Sequence, residues 1–217
     1  MKEMTRPENN EVKNNTLENL NKFKSELGTT ISEAKSYIED LFKDINDGFY
    51  TDYKDRYDRL PNDGEFGHWE GEKGESKYIP SPETEKGRAA IAKLAEYGMD
   101  GIEYKNCEPD YSKCNEGTVK IDNMTEHRYK NFEQADEKLA EQWNKDLKDG
   151  KSDWKDKDVY NYRKENLLSW HECCDTKTMH LLSRDIHGAS TSVFLHSGGV
   201  AECKARDNKN SGGGFDE

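Results

Sequence analysis

Between Leu168 and Gly199 the chain changes periodicity several times in a short space, and that order restricts the folds open to it. Leu168-Ser169-Trp170-His171-Glu172-Cys173 has the composition of a strand, and Asp175-Thr176-Lys177 can turn. Thr178-Met179-His180-Leu181-Leu182 alternates as a second strand, and Ser183 can cap a short helix, Arg184-Asp185-Ile186-His187. Strand, turn, strand, helix is therefore the expected local order. Four of the six histidines fall inside or just after it.

The rest of the chain supplies what such a unit packs against. Apolar residues at Leu17, Leu20, Phe23, Leu27, Ile31, Ala34, Ile38, Leu41 and Ile45 form one helical stripe. Gly28 interrupts it, and Thr30-Ile31-Ser32-Glu33 reads as a capping box that starts a second helix. Residues 61–82 read as loops and short strands, 83–98 as a helix, 100–122 as short strands around a loop, and 130–147 as a helix. Asp156 is placed to cap a further helix running to about Asn166. These readings give an α+β protein: a helical N-terminal segment over 1–60, a domain over 61–206 with its core unit at 168–197, and a flexible tail over 207–217.

Composition limits the partners. With 31% hydrophobic and 36% charged residues the core is modest, and there is no apolar run long enough to span a membrane. No secretory signal is visible, so a cytoplasmic location in the producing cell is expected. The net charge of −12 argues against nucleic acid, which favours a basic surface. Segment 177–187 is the local exception, with Lys177, Arg184 and His187 against Asp185. Five cysteines, an odd number, do not make a disulfide framework, although Cys107 and Cys114 are close enough in sequence for a short bridge. Cys173 and Cys174 lack the paired spacing of a zinc knuckle.

Taken together, Trp170-His171-Glu172, Asp175, Lys177-Thr178-Met179, His187 and His196-Ser197-Gly198-Gly199 resemble toxin nucleases of the HNH/endonuclease VII superfamily, of the Trp-His-His or Trp-His-Glu type. The resemblance extends upstream through Gly71-Glu72-Lys73-Gly74-Glu75-Ser76-Lys77, Pro80, Glu108-Pro109-Asp110, Arg128, Asn131-Phe132 and Gln134-Ala135-Asp136. It covers about residues 64–206. It implies a ββα-metal (His-Me finger) unit that grips one divalent ion (Mg, Mn, Ni or Zn) and hydrolyses nucleic acid, DNA ahead of RNA. It also implies a toxin delivered into a target cell by a non-classical route and restrained by a cognate immunity protein. The N-terminal stripe is then a docking or homo-oligomer surface.

In that scheme His171 and Glu172 carry the chemistry, and His187 and His196 bind the metal. His171 suits a base or a ligand role, since imidazole titrates near neutrality and binds divalent ions. Glu172 can orient an imidazole, bind through water or act as base, but neighbours on a strand face opposite ways. His171 is expected at the rim of the hairpin, filling little core volume. Arg184, at a helix start, and Arg128 are the candidate phosphate contacts. His180 reads as a half-buried strand residue.

One spacing departs from the pattern. His196 follows His187 by nine residues, which on a continuous helix would put the two on opposite faces. His196 therefore joins the site only if the helix breaks, at Gly188 or in the Ser/Thr run. The alternative is a degenerate, non-catalytic nuclease fold that binds a protein partner.

Overall fold

The structure, a computed structural model, describes Lys22, Lys24, residues 28–31, 48–188 and 190–211. Most of the N-terminal stripe lies outside the described residues. Residues 28–31 are helical. Gly28 and Thr29 are already helical, so the helix does not start at Thr30; the adjoining stretches on either side lie outside the described residues.

The chain divides into two compact units, Met1–Asp47 and Gly48–Glu217. Residues 48–60, read from sequence with the N-terminal part, pack within the second unit. Leu60 is in its core and Tyr53 lies against that core. The buried Glu202 carboxylate accepts the backbone N–H groups of Tyr50 (2.5 Å) and Thr51 (3.1 Å), and also the Thr51 hydroxyl.

The second unit is α+β. Its elements, in order, are α1 (Tyr53–Tyr57), β1 (Gly67–Trp69), β2 (Lys77–Pro80), α2 (Glu85–Ala95), β3 (Ile102–Lys105), β4 (Glu108–Pro109) and β5 (Gly117–Lys120). Then follow α3 (Arg128–Lys145), a 3-10 turn (Lys148–Gly150), α4 (Asp156–Glu165), β6 (Leu168–Glu172), β7 (Thr178–Ser183), α5 (Arg184–His187) and α6 (Gly199–Ser211). One sheet has the order β1-β2-β3-β4 and the other β5-β7-β6, with every described pairing antiparallel.

β7 is the pivot between two cores. Its Met179 and Leu181 join α3, α4 and Trp170, while Leu182 turns to the first sheet, α2, Ile186 and Phe194. This central strand is covered on both faces, so its alternation separates two cores instead of core from solvent. Its neighbour β6 follows the same rule. Leu168 and Trp170 face the α3 side, and His171 faces the other.

Two helix ends differ from the sequence reading. α4 begins one residue earlier in its capping: Lys155 is the N-cap, and its backbone N–H donates to Asp158 three residues on (3.0 Å). Asp156 is inside the helix. α6 runs to Ser211, into the stretch expected to be a tail. No proline or glycine follows Gly199 until Gly212, so little there stops a helix. All five cysteines are free and buried, and no Cys107–Cys114 bridge forms.

Candidate metal centre

The hairpin and the short helix bring three imidazoles together. Register pairs His171 on β6 with His180 on β7, and α5 starts immediately after β7. The Ser183 hydroxyl accepts the Asp185 N–H (3.2 Å), which starts the turn that delivers His187. His187 is the last residue of α5.

The helix then breaks at Gly188, and the spacing problem resolves. A Cβ on Gly188 would lie 2.6 Å from the Arg184 carbonyl and 2.0 Å from the Thr191 hydroxyl, so only glycine fits this exit. The Ser/Thr run hydrogen-bonds the loop back on itself. Thr191 donates to the Arg184 carbonyl, Ser192 N–H to Gly188 (3.0 Å) and the Ser192 hydroxyl to Ile186 (2.7 Å). Buried Val193 and Phe194 anchor the return, and Phe194 packs edge-on against Tyr78. His196 thereby arrives beside His171. The glycine pair that follows is also dictated by packing: a Cβ on Gly199 would lie 2.5 Å from both the Cys173 carbonyl and the Met124 sulfur.

His171 Nδ1 is 3.2 Å from His187 Nε2 and 3.3 Å from His196 Nε2. Among the described residues these three are the group able to hold a metal ion, with ligand atoms within 4.8 Å of one another. Metal–nitrogen bonds of about 2.0–2.1 Å at tetrahedral angles place ligand nitrogens roughly 3.3 Å apart, so the spacing fits a common ion.

The proton inventory agrees. His196 Nδ1 faces the Phe194 carbonyl (3.0 Å), which only accepts, so in the neutral ring Nδ1 carries the proton and Nε2 presents a lone pair. That is the orientation in which a ligand imidazole is held by its other nitrogen. His171 Nδ1 can donate to only one of its two neighbours, so protons alone do not satisfy the cluster. All three rings are held neutral. Burial, then the neighbouring imidazoles, keeps His171 well below the usual histidine range. Burial first brings His187 down to about 3 and His196 to about 4, with Arg128 adding to both.

His171 is 1% exposed. The expectation of a rim position is therefore wrong: β6 is flanked by α3 on one side and by Tyr111, α5 and the loop to His196 on the other. Tyr111, which sequence reading did not single out, sets its ring edge-on to His171 at 4.9 Å, to His187 at 5.7 Å and to His196 at 6.0 Å. Its hydroxyl, His171 Nε2 and His187 Nδ1 are buried with no hydrogen-bond partner. His180 is half-buried, as read, with its ring nearly parallel to His171 at 6.2 Å. Its Nδ1 is 2.9 Å from the Thr118 hydroxyl, which itself donates to Asn115. His180 Nδ1 is therefore the donor in that contact.

Glu172 takes the opposite face of β6. Its carboxylate accepts from Asn131 Nδ2 (3.3 Å) and pairs with Arg128 Nε (3.2 Å), both on the first turns of α3. Burial raises its pKa, and Arg128 opposes that rise. Glu172 is thus outside the imidazole cluster and tethers Arg128, whose side chain is 58% exposed. One residue before His171, Trp170 Nε1 donates to Asp136 (2.8 Å), and Arg163 binds the same carboxylate through two 2.6 Å contacts. Asn131 and Asp136 on α3 therefore hold the Trp-His-Glu strand from behind. Sequence reading noted both residues without giving them a role.

Arg184 is exposed at the start of α5. The amides there are already engaged: Arg184 N–H donates to Leu167 (2.8 Å) and Asp185 N–H to Ser183. These two amides are thus held by the Leu167 carbonyl and the Ser183 hydroxyl, while the Arg184 side chain stays exposed.

Fold and site together define a small mixed α+β domain centred on three convergent neutral imidazoles. Residues 101–198, just under half of the chain, match the family described as the DNase/tRNase domain of colicin-like bacteriocin. The matched segment contains the triad, Glu172, Arg128 and Arg184, and it supports a toxin nuclease acting on nucleic acid. A comparison with curated proteins finds no match. Among the described residues no helix is long and apolar enough to cross a membrane.

Proposed function

We propose that this chain is a one-metal endonuclease of the HNH type, a ββα-metal unit in which His171 Nδ1, His187 Nε2 and His196 Nε2 hold the ion. The observation that carries the reading is the 3.2 and 3.3 Å spacing of three facing ring nitrogens, with the Phe194 carbonyl leaving a lone pair on His196 Nε2. Three imidazoles suit Zn or Ni better than Mg or Mn. A bound divalent ion supplies charge stabilisation at the scissile phosphate and lowers the pKa of water.

The chain's own residues do the rest. Tyr111 walls the triad and restricts the access of water to it. Glu172 aims Arg128, and Arg128 binds a phosphate oxygen of the substrate. Arg184 supplies a second cation for the backbone. In this reading His171 acts as a ligand, not as a base, which is supported by the approach of its Nδ1 to both other imidazoles. DNA is the preferred substrate. The degenerate-fold alternative, which rests on the net charge of −12 and the long histidine spacing, loses the second of these supports, because the loop from Gly188 absorbs that spacing.

As a delivered toxin, the protein needs restraint in the cell that makes it. A cognate inhibitor with acidic contacts to Lys177 and Arg184 would gain on-rate from charge.

The test is plasmid nicking by the purified chain with added Zn, Ni, Mn or Mg, and again with EDTA. Cleavage should require metal and fall by about 10²-fold or more in His171→Ala, His187→Ala and His196→Ala, the range over which acid–base and metal-site groups act. Calorimetry should show one ion bound per chain and weaker binding in each variant. Metal-independent cleavage, or full activity in His196→Ala, defeats the assignment.

A further inference from the structure

The first turn of α3 has a composition that its fold does not explain. Arg128 and Lys130 are placed at the positive end of an 18-residue helix that has no acid in its first turn. Cations there oppose the helix dipole and cost stability. Between them Tyr129 is 61% exposed, and no other large apolar side chain among the described residues is more exposed. His127, the N-cap, makes no side-chain cap. Its ring is 6.2 Å from that of Tyr129 at 37°. Lys130 Nζ is 5.9 Å from the Tyr129 ring. No described hydrogen bond uses the Tyr129 hydroxyl. Two aromatic rings and two cations thus stand together, with the Glu126 carboxylate 4.0 Å from His127 Nε2 and Arg128 paired to Glu172.

Their position gives the cluster a use. Arg128 is bound to Glu172, the neighbour of His171 on β6. Tyr129 follows directly in the chain. Nucleic acid held with a phosphate at Arg128 passes its adjoining nucleotide over this turn.

We propose that Tyr129, with His127 and Lys130 beside it, is a stacking platform for an unpaired nucleobase next to the cleaved phosphate. This rests on the nuclease reading above and narrows it: the substrate is single-stranded, or locally unpaired, at the point of cleavage. The reason is geometric. In a duplex each base face is covered by its neighbours, whereas an unpaired base offers a free face to an aromatic ring, and every base has one. The flanking cations follow the backbone without reading sequence.

The experiment is fluorescence anisotropy of the full chain in EDTA, where metal-dependent cleavage is off. The probes are labelled single-stranded DNA, single-stranded RNA of the same sequence, and the DNA duplex. Single strands should bind more tightly than duplex. Tyr129→Ala should weaken single-strand binding by about 5- to 150-fold, the stacking contribution of one base converted to a ratio. Tyr129→Trp should keep it, and circular dichroism checks that both variants are folded.

Equal single-strand affinity in wild type and Tyr129→Ala overturns the platform, as does duplex binding as tight as single-strand binding, or no oligonucleotide binding at all. The nuclease reading fails separately. Tyr129-dependent binding by a chain that never cleaves with metal keeps the platform and removes the enzyme. Metal-dependent cleavage with unaltered binding in Tyr129→Ala does the reverse.

Discussion

The site stands on a buried ion pair, and removing one carboxylate tests that dependence. Asp136 on α3 accepts from Arg163 Nε and a terminal guanidinium nitrogen at 2.6 Å each and from Trp170 Nε1 at 2.8 Å. The two charged side chains are only 6% and 5% exposed. Asp136→Ala leaves the guanidinium buried without a counter-charge, at a cost of about 3–5 kcal/mol. It also strands the indole N–H, worth about 1–3 kcal/mol, though the two losses share one acceptor and do not simply add. A total of about 4 kcal/mol is expected, which lowers the melting temperature by roughly 8–16 °C for a chain of this size.

Asp136→Asn does not rescue, because its amide nitrogen turns a donor toward Arg163. The double variant Asp136→Leu/Arg163→Met should recover much of the loss, since replacing both members of a buried pair by apolar groups is often neutral. Urea denaturation followed by far-UV circular dichroism measures all four proteins. Metal titration calorimetry of the double variant then asks whether Trp170 still holds the strand when its own acceptor is gone, and we expect weakened binding. A single Asp136→Ala protein within about 1 kcal/mol of wild type, or a double variant no more stable than the single, refutes the argument.

Two further outcomes follow from local geometry. Gly188→Ala forces a Cβ to 2.6 Å from the Arg184 carbonyl, so the turn must open; a loss of about 1–3 kcal/mol by overpacking is expected, with a larger fall in metal affinity, read by calorimetry, than Gly98→Ala produces. For Glu108, burial raises the folded-state pKa against the pull of the Cys174 N–H, so the native state holds its proton longer than the unfolded chain. Stability then falls as pH rises from the unfolded pKa through the folded one, and Glu108→Gln should gain on wild type across that window and match it below, as urea midpoints against pH will show.

How far the sequence carries varies by element for physical reasons. The hairpin and α5 were readable because turn residues, alternation and a serine cap are local signals. The break after His187 was readable as a requirement, but the route back to His196 was not. It depends on Ser192 reaching Ile186, Val193 and Phe194 burying themselves, and Phe194 meeting Tyr78 far upstream. Alternation correctly sent His171 and Glu172 to opposite faces, but could not say what waited on each. Asn131 and Arg128 behind Glu172, and Tyr111 over His171, are tertiary partners from distant segments. Burial of His171 was missed because β6 reads locally like a strand with one wet face, whereas here both faces are covered.

The acidic net charge, which weighs against a nucleic-acid partner, loses force once its distribution is known. The groove between α3 and the start of α4 is lined by Glu133, Glu137, Glu141 and Asp156, with Lys130 and Lys155 beside them. Those acids follow the first turn of α3 or belong to α4, while the triad gathers on the other face of β6. Of the carboxylates around the triad, Glu172 is buried and paired with Arg128, so it presents no exposed acid there. Screening over about 8–10 Å at physiological salt separates Glu137 and Glu141, which lie more than about 13 Å along α3 from Arg128, from the first turn, while Glu133 stays within reach of it. A polyanion approaching the start of α3 therefore meets the exposed Arg128 and Lys130 first. Net charge then governs approach at low salt, with repulsion slowing the encounter, and leaves the contact itself to a handful of residues at the start of α3.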